Sequence, residues 1–170
     1  MQSSLVLTVL GPDRSGLVKS IAEAVKAHQG NWQESRMVHL AGQFAGLAHV
    51  TLPTAQVAAL QQALRALQQD GLQVLLTHSD AAAPRNITPL TLELLGQDRP
   101  GIIHDITQQL AALNVNIEEL ESEQRAAPMS SELLFYAHLK LGLPDGVTAE
   151  DVQGVFENMP DPLTVDLSFS

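Results

Sequence analysis

The chain has 170 residues, 45% hydrophobic and 16% charged, with nine basic against nineteen acidic residues and a net charge of −10. Its Lys and Arg are scattered singly, so the phosphates that supply most non-specific affinity for nucleic acid are repelled, and direct DNA binding is excluded. The absence of cysteine rules out disulfide and thiolate chemistry. No apolar run approaches the ~20 residues of a bilayer span, and the first residues, Met1 to Ser4, lack the basic segment, apolar core and small-residue cleavage site of a signal peptide. A cytoplasmic protein without membrane contact is expected.

Leu5, Val6, Leu7, Val9 and Leu10 predict a strand ending at Gly11. From Ser15 the period changes, and Leu17, Ile21, Ala24, Val25 and His28 fall on one helical face that Gly30 stops. Two apolar-rich stretches, 31–40 and 43–52, meet at Ala41 and Gly42 as a hairpin. Thr54 is expected to N-cap a helix carrying Val57, Leu60, Leu64 and Leu67, closed by Gly71. A last strand follows over 72–77.

Residues 79–88 have linker character, small and polar with one proline. The order then returns. A strand is predicted over 89–95, then a helix with Ile102, Ile106, Leu110 and Leu113. Residues 115–123 lack a clean period of two and favour helix locally; they are assigned as a strand because their counterpart, 31–39, fits one. The second hairpin turns around residues 126–130. Thr148 and Asp151 form a capping-box pattern before Val152, Val155, Phe156 and Met159, and the final strand covers 163–169.

The two halves repeat. Between residues 7–31 and 92–116, nine of 25 positions are identical, among them Gly11/Gly96, Asp13/Asp98, Arg14/Arg99, Gly16/Gly101 and Asn31/Asn116. Past the longer second hairpin the offset becomes 91, pairing Phe44 with Phe135 and Pro53 with Pro144. The expected fold is α+β, with two ferredoxin-like βαββαβ domains whose antiparallel sheets carry helices on one face. The expected boundaries are 1–79, a linker 80–88, and 89–170.

Shared polar character concentrates where the first strand meets the first helix, in G-P-D-R-S-G (11–16) and G-Q-D-R-P-G (96–101). Glycine permits close approach or unusual backbone angles there. The free N–H groups and the helix dipole suit a carboxylate or phosphate. Asp13 and Asp98 offer an acceptor for an ammonium beside it, a pairing that fits a zwitterionic amino acid. The plainer alternative is that Asp caps the helix, Gly makes the turn and Arg is solvated.

The G-x-D-R-[SP]-G turn, with the Asn of G-N-W (30–32) and V-N-I (115–117), resembles the ACT domain, a small-ligand regulatory module, over residues 4–79 and 89–169. A chain of two such domains is similar to the glycine cleavage system transcriptional repressor group. The resemblance implies a non-enzymatic regulator that binds a small amino acid, glycine or similar, and acts through a protein partner such as a transcription factor. The other reading is a regulatory subunit of a separately encoded enzyme of amino-acid metabolism. The resemblance also implies the ligand contacts: Gly11, Asp13, Arg14, Gly16 and Asn31 in one half, and Gly96, Asp98, Arg99, Gly101 and Asn116 in the other. Turn and Asn are expected to face each other across paired domains, within one chain or in a homodimer. Ser15 and Trp32 depart from the family pattern, so the two sites are expected to be unequal.

No other chemistry is indicated. The six histidines lack metal-binding spacing, so no metal or cofactor is expected. The serines lack a nucleophile elbow, and the phosphate-binding glycine motifs are missing, so no catalytic residue is assigned. Glu118, Glu119, Glu121 and Glu123 read as a solvated strand face or an interface rim, and Trp32 as core packing or a ligand wall.

Overall fold

In the computed structural model, which describes residues 1–80 and 85–169, the alternating segments become long strands. In the first half the order is β1 (Gln2–Pro12), α1 (Leu17–Ala27), β2 (Asn31–Leu40), β3 (Gln43–Pro53), α2 (Val57–Ala66) and β4 (Gln73–His78). The second half follows with β5 (Thr88–Gln97), α3 (Ile102–Ala112), β6 (Asn116–Ala126), β7 (Leu133–Leu143), α4 (Ala149–Glu157) and β8 (Thr164–Phe169). The sheets have the orders β2-β3-β1-β4 and β6-β7-β5-β8, with every pairing antiparallel. Both halves therefore have the ferredoxin-like βαββαβ plan. The chain divides into two compact units, Met1–Ala82 and Ala83–Ser170; of the expected linker, residues 81–84 lie outside the described residues.

Each unit has its own core. In the first, Leu5, Leu7 and Val9 of β1 pack with Leu17, Ile21 and Val25 of α1 and Leu60 and Leu64 of α2. In the second, Leu90, Leu92 and Leu94 meet Ile102, Ile106, Leu110, Val152 and Phe156. Burying one such side chain stabilises by about 1.5–3 kcal/mol. Among the described residues no polar or charged residue is buried, so apolar packing holds each unit.

Some local expectations hold, and others change. Ala41 and Gly42 both take positive φ, 49° and 79°, as a two-residue hairpin requires. Thr148 and Asp151 form the reciprocal capping box. Thr54 does not cap α2: it lies in a short 3-10 turn, Thr54–Gln56, and its hydroxyl bonds that of Ser3 at 2.8 Å. Gly30 is not the left-handed residue that ends α1. Gln29 is (φ 59°), and the Gly30 N–H closes the helix onto the Val25 carbonyl at 2.8 Å. A Cβ at Gly30 would lie 2.6 Å from Val25 Cγ1 and 2.8 Å from the Val25 carbonyl oxygen, so a side chain fits there only if Val25 shifts. Asn114 (φ 56°) and the Val115 N–H repeat this ending on α3.

Candidate functional site

The duplicated turns have the same backbone in both units. Gly16 (φ 89°) and Gly101 (φ 82°) are left-handed N-caps of α1 and α3, and neither helix has a side-chain cap. Each cap glycine carbonyl accepts the first helical hydrogen bond, from Ser20 N–H at 3.0 Å and Asp105 N–H at 3.1 Å. Asp13 and Asp98 are therefore not caps, and the plainer reading fails on that point. Their own N–H groups donate to the Gly42 and Leu133 carbonyls at 3.0 and 3.1 Å, pinning each turn to the hairpin beside it. Pro100 precedes the cap glycine and stays outside α3.

The glycines divide into two classes. A Cβ at Gly16 or Gly101 would meet nothing within 4 Å, so these positions need glycine for their torsion and leave open space above the helix end. Gly11 and Gly96 are packing glycines. A Cβ on Gly11 would come within 3.2 Å of the Gly71 carbonyl and of Leu72, and one on Gly96 within 2.4 Å of Leu163. Leu72 and Leu163 are equivalent in the two halves, so this is one close approach built twice.

The arginines reach inward along their own unit. Arg14 Nη2 donates to the Asp70 carbonyl. Arg99 pairs with Asp105 at 2.6 Å through Nη1 and lies 3.6 Å from Asp161 through Nε. Asp70 and Asp161 are also equivalent, so each turn is tied to the loop that leads into the fourth strand. Arg99 Nε is enclosed without a hydrogen bond. Its guanidinium holds the Asp105 carboxyl below the ordinary carboxylate value, and the His104 side chain adds to that. Asp98 Oδ2 accepts from Gln124 Nε2 of β6 at 2.6 Å. Beside this turn lies a hollow of about 370 Å³ lined by Gln97, Asp98, Arg99, Asp161, Pro162 and Leu163. A larger cleft of about 630 Å³ runs from Arg99 and Asp105 along α3 and α4 to Met159.

The second-strand asparagines lie elsewhere. Asn31 opposes Thr51, which opposes Ser4 across β1, whereas Gly11 opposes Phe44. Seven residues of β1 separate the two rows, about 24 Å at roughly 3.4 Å per residue. Asn116 stands in the same relation to Gly96, through Gly142 and Pro89. Within one unit the turn and the Asn thus occupy opposite ends of the sheet. Asn116 Nδ2 donates to Glu118 Oε1. Trp32 packs partly buried against the first core. Sequence reasoning missed Asp161 and Gln124, which hold Arg99 and Asp98. Only the repeat offset carried a hint, since it aligns Asp161 with Asp70.

Among the described residues, no group of three or more His, Asp or Glu could hold a metal ion, and no helix is long and apolar enough to cross a membrane. The family model of the ACT domain matches residues 3–76. An unknown protein from Galdieria sulphuraria is similar along the whole chain, at 28% identity and a TM-score of 0.80, covering 100% of this chain and 99% of that one. A protein provisionally assigned as a glycine cleavage system transcriptional repressor shares the fold at 15% identity and a TM-score of 0.71, again over 100% and 99%. No curated protein matches. Residues 3–76 thus match the ACT domain, and the second unit repeats the same βαββαβ plan.

Proposed function

We propose that the protein is a non-enzymatic sensor of a small amino acid, glycine or similar, which regulates by contacting a protein partner such as a transcription factor. The observation that carries this reading is the uncapped, glycine-gated helix N-terminus at residues 11–16, built again at 96–101. The open space at Gly16 and Gly101 admits a carboxylate to the positive end of the helix dipole. In the second unit the adjoining hollow is lined by Asp98 and Arg99, charges of both signs suited to a zwitterion. Asp13, Arg14, Asn31 and Asn116 complete the proposed contacts. Because turn and asparagine lie at opposite ends of one sheet, a pocket that uses both draws on two modules. The likeness to the provisionally assigned repressor supports the glycine-cleavage assignment through the fold.

A thermal-shift panel of the twenty amino acids tests the sensor, since a ligand that binds only the folded state raises apparent stability. Glycine, at about −1.5 kcal/mol per heavy atom, cannot exceed about −7.5 kcal/mol, a Kd on the order of micromolar. Desolvation should weaken it to ~0.1–1 mM. A response to no amino acid, or a nanomolar constant for glycine, contradicts the proposal.

A further inference from the structure

The two units present the same sheet lattice on the face away from their helices, with very different side chains. Across β2-β3-β1-β4 the first unit places Arg36, Leu47, Thr8 and Leu75 in one row and Val38, Ala45, Leu10 and Gln73 in the next, with Leu40 beyond. The matching rows of the second unit are Glu121, His138, Glu93 and Asp166, then Glu123, Tyr136, Leu95 and Thr164, with Arg125 beyond. Leu47 thus corresponds to His138, Leu75 to Asp166, Val38 to Glu123 and Leu40 to Arg125. The second face carries Glu93, Glu119, Glu121, Glu123 and Asp166 against Lys140 and Arg125. On the first face the charged residues are Glu34 and Arg36. The fold does not need apolar residues at these positions, because its second copy builds the same sheet with polar ones.

Leu10, Val38, Leu40, Leu47 and Leu75 are 44%, 63%, 78%, 52% and 65% exposed. Together they leave on the order of 500 Å² of contiguous apolar surface, the upper range for a soluble monomer. We infer that this face of Met1–Ala82 is a self-association surface, occupied by the same face of a second copy in a twofold sheet-on-sheet contact. Three observations select that occupant. Two such faces bury about 1,000 Å² before any polar rim is added, which reaches the size of a specific interface. With one acid and one base, the face lets two chains of net charge −10 meet without stacking like charges. A hollow of about 230 Å³ lined by Val6, Leu47 and His49 on one side and Glu34, Ser35 and Arg36 on the other also offers a seat for a side chain projecting from the facing sheet. It is apolar where it meets Val6 and Leu47 and polar at its rim. The carboxylate-rich face of the second unit is a poor mate, since covering it desolvates five carboxylates against two cations. The inference does not depend on ligand binding.

Sedimentation of the full chain at about 1–100 µM tests it. The native chain should be a dimer. Leu75→Asp and Leu47→Asp should each weaken association by about 100-fold or more, because twofold symmetry plants two buried carboxylates per dimer. Both positions are exposed, so each variant should keep the native circular dichroism spectrum and a cooperative melt, lowered only by the lost stabilisation of the dimer. His138→Asp, at the counterpart of Leu47 in the second unit, should leave the dimer intact. A native monomer at the highest concentration overturns the inference. So does a dimer that survives both leucine substitutions, or one that His138→Asp dissociates.

Discussion

Substitution of Gly16 separates what the turn's glycine does for the fold from what it does for a ligand. At φ 89° an L side chain is strained, yet a Cβ there touches nothing within 4 Å. Gly16→Ala therefore costs only the left-handed torsion, about 1–2 kcal/mol. Asparagine tolerates that region better than alanine, so Gly16→Asn should cost less. At a urea m-value of about 1 kcal/mol per M, suited to a unit this small, the alanine variant's midpoint should fall by about 1–2 M. Trp32 is the chain's one tryptophan and packs against the core of the same unit, so its fluorescence reports that unit alone. Unchanged midpoints for both variants would refute a left-handed cap at Gly16. A loss for Asn as large as for Ala would show that volume rather than torsion decides, against the open space described.

Three further outcomes follow from the charges. The Arg99 guanidinium, then His104, lower the Asp105 carboxyl from its ordinary 3.8, so this group's contribution to stability is full above 3.8 and is lost as pH falls through the lower folded value. In Arg99→Met a carbon-detected NMR titration should find Asp105 returned toward 3.8. Tyr136 is raised above 10.0 by desolvation and then by its hydrogen bond to Glu93, so its contribution holds below 10.0 and fades as pH rises through the higher folded value. It is the chain's one tyrosine, so an absorbance titration reads it directly: the midpoint should lie above 10.0 and fall partway back in Glu93→Gln. Finally, with a net charge of −10 the purified chain alone should shift no promoter fragment on a gel at about 150 mM salt, and a specific shift would contradict an adaptor role.

The repeat, the element order and the capping box at Thr148 were legible because each leaves a local pattern. The weak periodicity of residues 115–123 now has a cause. A bulge between Ile117 and Glu119 shifts the register, so Ile117 and Leu120, three residues apart, share the helix-facing side. Trp32 and Met37 straddle the matching bulge in β2 and both pack on the first core. Helix endings were harder to read. Gln29 and Asn114 take the left-handed position, and closure depends on main-chain bonds that any residue can donate. The site residues were legible as types but not as places. The sequence motif puts turn and asparagine in one pattern, while the strand register holds them about 24 Å apart. The two packing glycines, Gly11 and Gly96, likewise looked the same as the torsional pair until the fourth strand was seen beside them.

The two turn arginines also differ in how freely their surroundings can change. Arg14 leans on a main-chain carbonyl, which persists whatever amino acid occupies position 70. Arg99 leans on the carboxylates of Asp105 and Asp161, which only an acidic residue supplies. The first unit can therefore accept sequence drift at its anchoring loop without losing the tie. In the second unit the tie to the loop lasts only while position 161 stays acidic, and the tie to the helix only while position 105 does. Salt and acid divide them in the same way: the Arg99–Asp105 tie is screened by salt and titrates with Asp105, whereas a carbonyl acceptor has no proton to gain. At high salt, or once pH falls below 3.8 toward the lowered value of Asp105, the turn at residues 96–101 should loosen while the one at 11–16 keeps its place.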